Sequence, residues 1–500
     1  MSYKLDLSHL TRDSDQSITA QLVDVVRVAI EDGTLPPGAK LPTTRALAED
    51  AGVNHLTVVR AYKRLAADGF VTATRGRGTF VRQAPPTVTP ADGRWQHAIL
   101  PPAQRSFISQ VVSETWHAPD AGNLISLATG WASADLLPVR ELERISAQVF
   151  ADVGAEALTY GDPDGLWELR EYFARRGTAS GFATDAEEIL VTNGGRQAID
   201  LVVRTIVRPG DVVVTESPTF MGTLLSLEAA GARVLGVPYD QDGLDVDALE
   251  RILARHEVKL VCVQSGSQNP TGQDMSPERA ERLLELARER SFFIMEDGVY
   301  STIRFGRGEA PRLRLRAPDH VVYVDSLSKT IGGGLRVGYV AASSEVRRRL
   351  TDLKLATDYH TPLLTQHLAA RWLTSGAHDR HLGQINGELA IRAHAMVRSI
   401  EQRLSDDVHV DEPVGGHHVW LTFRRPVDER VLIGEAMRQG VSFTPGGATT
   451  VEGDGLFGLR LSFSLYDADR LDEGVRRMAA AIRAARRSAG GGSRIAPALS

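Results

Sequence analysis

The feature that most constrains the fold is a series of short, nearly continuous apolar runs separated by amphipathic segments of helical length. The runs are residues 188–191, 212–214, 260–263, 292–295 and 321–324. A strand that is apolar along its whole length has both faces covered, which is typical of a parallel sheet between two layers of helices. We therefore predict an α/β domain with a mostly parallel sheet.

Polar, charged or glycine residues follow each run directly. The five tails read TNGGRQAID, TESPTF, QSGSQNPTG, EDGVY and DSLSK in chain order. In open α/β sheets, ligands bind beyond the carboxyl ends of the strands, so we expect the five tails to converge on one site. Together they supply a lysine, an aspartate, an asparagine, aromatic rings, hydroxyls and a glycine-led helix start.

This set of side chains meets the chemical needs of pyridoxal phosphate (PLP). Lys329 supplies the amine that forms a Schiff base with the aldehyde, and desolvation would lower the pKa of that amine and favour its reactive, neutral form. Asp297 supplies the carboxylate that keeps the ring nitrogen protonated. Asn269 and Tyr300 supply donors for the ring hydroxyl.

The phosphate and the ring face have predicted partners of their own. Backbone N–H groups at a helix amino terminus bind phosphate, and Gly195 and Arg196 stand at such a helix start. Phe220 is placed to stack on the ring face. Further hydroxyl and guanidinium donors for the phosphate are Ser326, Ser328 and Arg336.

Seven motifs carry a resemblance to a known family. In chain order they are ALTYGDPDGLWELR, TNGGRQAIDL, ESPTF, QNPTG, EDGVY, SLSKTIGGGLRVGY and LRLSFS. Through them, residues from about 123 to 486 resemble the fold-type I PLP enzymes of the aspartate aminotransferase family. The resemblance implies a fold-type I large domain with a small C-terminal α/β subdomain from about residue 371. It also implies a homodimer.

The same resemblance assigns roles to single residues. Lys329 is then the Schiff-base lysine and Asp297 the partner of the pyridine nitrogen, while Tyr160 reaches the phosphate in the neighbouring subunit. Arg460 is expected to hold an α-carboxylate, since a planar guanidinium forks onto a carboxylate in a way that lysine cannot. Adjacent residues of a strand face opposite sides, so we do not expect the histidines at 417–418 to share a metal ion.

The first eighty or so residues follow a different pattern. Apolar residues recur at helical spacing from Ile18 to Ile30. Two short helices follow, the first capped by Thr43 or Thr44 and the second by Asn54, with a turn at Gly52 between them. The stretch FVTATRGRGTFV then predicts a β-hairpin with two arginines at its tip. This combination predicts a winged helix-turn-helix.

This region resembles the winged helix-turn-helix domain of GntR-type regulators through LPTTRALAEDAGV, TVVRAYKRLAADGFV and TRGRGTFV. Joined to an aminotransferase-like domain, the whole chain is similar to the MocR subfamily of those regulators. The resemblance implies operator DNA as a partner, with the recognition helix in the major groove and the wing arginines at the minor groove or its phosphates. The implied contacts are Thr44, Arg45, Asn54, His55, Thr57, Arg75 and Arg77.

We predict four segments along the chain. Residues 1–82 form the winged domain, residues 83–118 a proline-rich linker, residues 119–487 the PLP-binding domain, and residues 488–500 a disordered tail. Cys262 is the only cysteine, which excludes an intrachain disulfide and a thiolate metal cluster. No apolar stretch is long enough to span a membrane, and the amino terminus lacks a secretory signal. We expect a cytoplasmic protein without a metal.

These features favour a transcriptional regulator that responds to PLP, or to an amine or amino acid that reacts with PLP on Lys329. An alternative is a genuine amino-acid aminotransferase with an accessory DNA-binding domain, since the residues needed for transamination are present. A third interpretation is a vitamin B6 sensor in which PLP itself is the effector. The sequence leaves these alternatives open.

Overall fold

The computed structural model describes residues 5, 7, 10–11, 16–74, 78–82, 106–109, 111, 113, 123–179, 184–306, 308–451 and 458–490. The chain divides into two compact units, residues 1–104 and 105–500, each with its own hydrophobic core. Most of the predicted linker lies outside the described residues, as do the wing arginines Arg75 and Arg77 and most of the predicted tail.

In the part of the amino-terminal unit that the structure describes, three helices precede a two-stranded hairpin. Its elements are α1 (Ile18–Glu31), α2 (Thr44–Asp50), α3 (His55–Ala67), β1 (Val71–Thr74) and β2 (Gly78–Val81). The two strands pair antiparallel, and the apolar faces of the three helices meet in one core. The predicted winged helix-turn-helix is confirmed.

Each helix of this unit begins after a side chain that accepts an N–H from the first turn. The caps are Ser17, Thr43 and Asn54. The sequence left Thr43 and Thr44 open as the cap of α2, and the structure selects Thr43. A cap of this kind stabilises a helix by about 1 kcal/mol, which matters most for α2 because it has only seven residues.

The large unit alternates strands and helices over its first two thirds. Its strands are β3 (Ile125–Ser126), β4 (Ile189–Thr192), β5 (Val212–Ser217), β6 (Arg233–Asp240), β7 (Gly243–Leu244), β8 (Val258–Val263), β9 (Phe293–Asp297), β10 (Val321–Ser326), β11 (Gly338–Ala341), β12 (Val408–Val410), β13 (His418–Phe423), β14 (Val441–Ser442), β15 (Thr444–Pro445) and β16 (Gly458–Ser462).

The α-helices of the large unit are α4 (Val139–Asp152), α5 (Trp167–Ala179), α6 (Gly195–Ile206), α7 (Met221–Ala229), α8 (Val246–Leu253), α9 (Pro277–Arg290), α10 (Leu313–Arg316), α11 (Ser344–Thr357), α12 (Leu363–Thr374), α13 (Ala377–Leu404), α14 (Glu429–Arg438) and α15 (Ala468–Gly490). Short 3-10 helices occur at Ala134–Leu136, Gly154–Leu158, Ala186–Glu188, Leu327–Lys329, Gly333–Leu335 and Gly446–Ala448. In the described part of the chain, no helix is both long and apolar enough to cross a membrane.

The main sheet has eight strands in the order β4–β11–β10–β9–β8–β5–β6–β7. The strands β10, β9, β8, β5 and β6 run parallel. Because β11 is antiparallel to both of its neighbours, β4 points in the same direction as β10. The carboxyl ends of the five predicted strands therefore lie at one edge of the sheet. The predicted mostly parallel α/β sheet is confirmed.

A second, four-stranded antiparallel sheet has the order β12–β13–β16–β15. It packs with α13, α14 and α15 around a core that includes Leu389, Leu432, Val475 and Leu461. Ile125 belongs to the same core, and β3 pairs in parallel with β14. This pairing places the segment after β3 next to the second sheet, and that segment also reaches the carboxyl edge of the main sheet.

Candidate functional site

Lys329 lies at the carboxyl edge of the main sheet, in the 3-10 helix that follows β10. Its Nζ atom donates to the carbonyl oxygen of Gly130 at 2.9 Å and lies 5.5 Å from the centre of the Tyr300 ring. Desolvation, together with the positive charges of Arg460 and Arg336, lowers the pKa of Lys329 to about 8. The amine is therefore neutral in about a tenth of molecules at neutral pH.

Asp297 is buried at the end of β9, on the strand next to β10. Its Oδ2 atom accepts from Nε2 of Gln264 at 2.8 Å, and its Oδ1 atom accepts from the N–H of Val299 at 3.1 Å. Burial raises the pKa of Asp297, while these donors and Lys329 oppose that rise. Gln264 also accepts the N–H of Asn269 through Oε1. Sequence reasoning missed Gln264, which couples the two predicted site residues.

Arg460 lies on β16 of the second sheet, and its guanidinium is buried. It donates to Oδ1 of Asn269 at 3.0 Å, to the carbonyl oxygen of Ala128 at 2.6 Å and to Oγ1 of Thr444 at 2.9 Å. Burial lowers the pKa of Arg460 to about 10, so the group remains charged at neutral pH. The two sheets thus bring Arg460, Asn269 and Lys329 into one site.

The start of α6 forms a cradle for an anion. Gly194 has φ of 81°, and a Cβ atom there would lie 2.7 Å from Nη2 of Arg336, so a larger residue would fill the space the guanidinium occupies. Arg336 donates through the same nitrogen to the carbonyl oxygen of Asn193 at 2.7 Å. Gly195 lies against Ser326, and Oγ of Ser326 is 2.9 Å from Oγ of Ser328. First-turn N–H groups with these side chains suit a phosphate.

An ion pair between a buried lysine and a partly exposed aspartate stands next to this cradle. Lys354 is fully buried and donates to Asp358 at 2.8 Å. The Asp358 carboxylate also accepts from the side chains of Asn193 and Gln197, the latter at 2.6 Å. Removing one partner of such a pair leaves an uncompensated buried charge. Neither Lys354 nor Asp358 belongs to one of the seven motifs, so nothing in the sequence indicated that they stand next to the cradle.

Three predicted residues lie at the periphery of this arrangement. The guanidinium of Arg196 donates to the carbonyl oxygen of Gly222, so only its backbone N–H faces the cradle. The Phe220 ring packs over Gly222, where a Cβ atom would lie 2.3 Å from Cε1 of Phe220. Tyr160 is 86% exposed, and its ring lies 5.7 Å from that of His360.

The histidines at 417–418 both belong to the site. Their ring centres lie 5.2 Å and 5.5 Å from that of Tyr300, and the hydroxyl of Tyr300 is 3.0 Å from Nε2 of His418. The expectation that the two rings face opposite sides is wrong, because β13 begins at His418 and the preceding His417 is not part of the strand. Among the described residues, no group of three or more His, Cys, Asp or Glu side chains is arranged to hold a metal ion.

These observations fit PLP. The cradle at Gly194 and Gly195 accommodates a phosphate, the buried carboxylate of Asp297 suits a protonated ring nitrogen, and the amine of Lys329 is shifted toward its reactive form. The residues that would hold the group are Lys329, Asp297, Asn269, Tyr300, Gly195, Ser326, Ser328 and Arg336.

The amino-terminal unit presents a second candidate site at the start of α3. Oγ1 of Thr44 lies 2.9 Å from Nε2 of His55, which ties the first turn of α2 to that of α3. The Asn54 side chain is used as the helix cap. Arg45 is exposed on α2, and Thr57 is partly buried on α3.

Sequence reasoning did not single out two further residues of the amino-terminal unit. Leu56 is 61% exposed at the second position of α3, where an apolar side chain has no core to enter. The backbone of Lys40 forms an isolated antiparallel β-bridge with Phe80 of the hairpin. The Nζ atom of Lys40 lies 5.9 Å from the centre of the Phe80 ring. Lys40 therefore adds a positive charge beside the hairpin.

Two family models match the chain. The model of aminotransferase class I and II matches residues 123–478, and that of bacterial regulatory proteins, gntR family, matches residues 18–81. The uncharacterized HTH-type transcriptional regulator YdfD of Bacillus subtilis is 28% identical over 460 residues, which cover 91% of this chain and 94% of YdfD. The probable rhizopine catabolism regulatory protein MocR of Rhizobium meliloti is 27% identical over 479 residues, or 95% of each chain.

A solved structure resembles the large unit. LysN, an alpha-aminoadipate aminotransferase from Thermus thermophilus, was crystallised with N-(5'-phosphopyridoxyl)-L-leucine. It matches with a TM-score of 0.73 at 30% sequence identity, and the match covers 79% of this chain and 99% of LysN.

Proposed function

Because the chain belongs to the aminotransferase class I and II family and carries an amino-terminal gntR-family domain, in the arrangement of MocR-like regulators, we propose that it is a PLP-dependent transcriptional regulator that binds operator DNA. PLP is the cofactor of the large unit. One observation carries the proposal: an aminotransferase-type fold, with side chains at one edge of its sheet that suit PLP, and a winged helix-turn-helix occur in the same chain. A protein that binds operator DNA works beside the chromosome, so we place it in the cytoplasm.

The large unit is proposed to hold PLP and to bind an amine or amino acid as its effector. When bound, PLP supplies an aldehyde that takes up primary amines and a ring that withdraws electrons. Lys329 anchors it covalently, Asp297 keeps a proton on the ring nitrogen, and Asn269 and Tyr300 bind the ring oxygen. Arg460 binds the carboxylate of an amino-acid effector. An effector changes operator binding only by the difference between its affinities for the two states of the protein.

A homodimer is part of the proposal. Tyr160, Leu158 and Tyr359 are exposed on the large unit, at 86%, 71% and 65% of their surface. Large apolar side chains exposed together are typical of an interaction surface. A second copy that covers them would bring Tyr160 to the partner's cofactor site, and two winged domains would then meet two half-sites of an operator.

The proposal is tested with the full-length protein and the DNA upstream of its own gene. Binding is measured by fluorescence anisotropy with and without PLP, and then with a panel of amines and amino acids. We expect saturable binding that an amine shifts only when PLP is present. If no upstream fragment binds at low ionic strength, the regulator proposal is wrong.

A genuine aminotransferase is the second candidate function. It is favoured by the structural similarity to LysN and by the presence of Lys329, Asp297 and Arg460 in one site. Repeated formation of product from an amino acid and a keto acid would support this candidate. A spectral change with one amine and no product release would support the regulator. If PLP alone alters operator binding and no amine does, PLP is itself the effector.

Replacing Arg45 with alanine is expected to weaken operator binding by about tenfold or more, because a specific arginine contact with a base contributes about 1–3 kcal/mol. Anisotropy titrations of the operator give the ratio. Arg27→Ala is the matched control, since Arg27 is an exposed arginine on α1 that pairs with Asp24. Equal operator affinity of Arg45→Ala and Arg27→Ala would contradict the assignment of Arg45.

The rate at which added PLP becomes covalently attached is expected to rise with pH through about 8. Only the neutral amine reacts, and the pKa of Lys329 is lowered to about 8, chiefly by desolvation. The rate should increase about tenfold per pH unit below that value and level off above it. Stopped-flow absorbance after mixing cofactor-free protein with PLP gives the profile. A midpoint at the ordinary lysine value of about 10.4 would show that the amine is not perturbed.

A further inference from the structure

We propose that the large unit recognises a hydroxyl group on its effector through the Nε2 atom of His417. The inference rests on the proposed function and deepens it, because it names the class of effector: a small amine or amino acid with a hydroxyl in its side chain. No motif and no similarity assigns a role to His417.

The hydrogen bonding of His417 determines which of its nitrogens carries the proton. The ring is fully buried, and Nδ1 lies 3.3 Å from the carbonyl oxygen of Gly130. A carbonyl oxygen can only accept, so Nδ1 donates and Nε2 is left with a free lone pair. Nε2 has no hydrogen-bond partner among the described residues. A buried acceptor without a partner costs about 1–3 kcal/mol, which a ligand with a donor would recover.

The ring of His417 also stays neutral. Burial and the neighbouring Lys329 lower the pKa of His417 to about 3, with Arg460 acting in the same direction. Nε2 therefore remains an acceptor at every physiological pH. A carboxylate on the effector side chain has only lone pairs to offer and would face the lone pair of Nε2. Dicarboxylic amino acids are accordingly disfavoured at this position.

The cavity beside His417 narrows the choice of donor further. His417 lines a small cavity together with Lys329 and Thr330, and its remaining walls are apolar. These walls are Ala132, Leu136, Leu137, Ile385 and Leu389. The hydroxyl of Thr330 already donates to the carbonyl oxygen of Leu327. Among the lining side chains, Nε2 of His417 is the buried acceptor atom that has no partner, and none of these side chains is acidic.

Three kinds of effector side chain carry a donor for Nε2 of His417: an ammonium, an amide and a hydroxyl. A second ammonium group would be buried beside Lys329 without a counter-charge, which is costly. An amide would bring a carbonyl oxygen that the apolar walls leave without a donor. A hydroxyl needs only the one acceptor that His417 supplies. A site built around a hydroxyl rejects the analogue that lacks it, because the buried polar group is then left unpaired.

The test uses pairs of amino acids in which a hydroxyl replaces a methyl group of the same size. L-threonine is compared with L-valine, and L-homoserine with L-norvaline, on the full-length protein loaded with PLP. Dissociation constants are measured by spectral titration and by calorimetry. We expect the hydroxyl member of at least one pair to bind about tenfold or more tightly. PLP attachment and operator binding are measured independently on the same sample, so that a failure of the proposed function can be told apart from a failure of the His417 role.

Variants assign the preference to His417. His417→Leu should bring the ratio within a pair close to one, whereas His417→Gln, whose Oε1 can accept, should keep part of the preference. His394→Leu is the control, since His394 is 55% exposed on α13, and it should leave the ratio unchanged. Equal binding within both pairs in the wild type, no binding of any member, or a preference that survives in His417→Leu would each overturn the inference.

A second readout does not depend on the cofactor. Nitrogen NMR of histidine-labelled protein without PLP should show His417 neutral with the proton on Nδ1, identified by the signal missing from His417→Leu. A proton on Nε2 would overturn the inference. Loss of PLP attachment or of operator binding would instead refute the proposed function. Equal binding within the pairs, with both of those activities intact, would refute only the role of His417.

Discussion

Replacing Lys329 with alanine is expected to abolish covalent retention of PLP. Lys329 is the lysine of the carboxyl edge, and its pKa is lowered to about 8 by desolvation and by two nearby arginines. After PLP is added and the protein is reduced with borohydride, the wild type should gain the mass of one phosphopyridoxyl group and the variant none. Intact-mass spectrometry measures the difference, and peptide mapping should place the label on Lys329.

The control for this experiment is Lys259→Ala. Lys259 lies on β8 but is solvent-exposed and pairs with Glu257 at the surface, so this variant should take up the label as the wild type does. The described structure gives the Lys329 amine one hydrogen bond, to Gly130, so the cofactor-free variant should unfold at nearly the same temperature as the wild type. Stoichiometric labelling of another lysine in Lys329→Ala would refute the assignment.

The predictable part of this site comes from residues that stand next to an apolar strand in the sequence. Lys329, Asp297 and Asn269 follow their strands within a few residues. Because parallel strands end at a common edge, adjacency in the sequence becomes proximity in space. The order of the strands was not needed for this step, only their shared direction.

The residues that sequence reasoning missed act across long separations. Gln264 couples Asp297 to Asn269 through two hydrogen bonds, and Gly130 meets Lys329 across 199 positions. The Gln264 contacts arise at the ends of two adjacent strands of the main sheet, whereas the Gly130 contact depends on the segment after β3, which lies next to the second sheet. No local sequence pattern encodes either contact. The histidines at 417–418 were misjudged for a related reason, since strand alternation does not apply to a residue that precedes the strand.

Strand prediction failed where apolar character was interrupted. β6 contains Gly236 and Pro238 and has only one fully buried residue, Val237, so it lacks the continuous apolar run that identified the central strands. β11 has four residues and begins with Gly338, because a Cβ atom there would lie 2.8 Å from backbone atoms of Asp325 and Gly194. β11 is buried along its whole length, so its shortness and its opening glycine, rather than a polar interruption, distinguish it from the central strands.

Replacing Arg460 with methionine is expected to separate amino acids from simple amines. The guanidinium is buried, charged and held by Asn269, Ala128 and Thr444, so its position is set before an effector arrives. Losing a charge-assisted, two-pronged contact with a carboxylate costs about 3 kcal/mol, which corresponds to roughly a hundredfold weaker binding. Spectral titration of the PLP-loaded protein with an amino acid and with its decarboxylated amine measures both constants.

Comparing the amino acid with its decarboxylated amine shows whether Arg460 binds the carboxylate or only positions Asn269. If Arg460 binds the carboxylate, the amine that lacks one should bind Arg460→Met within about threefold of the wild type, because neither complex uses the contact. If Arg460 acts only by holding Asn269 in place, both ligands should weaken equally, since Asn269 is proposed to bind the cofactor and not the carboxylate. Arg424→Met, at an exposed arginine that follows β13 and bonds to the Ser405 carbonyl, should change neither constant. If Arg460→Met weakens the binding of both ligands equally, Arg460 supports the cofactor site and does not recognise the effector carboxylate.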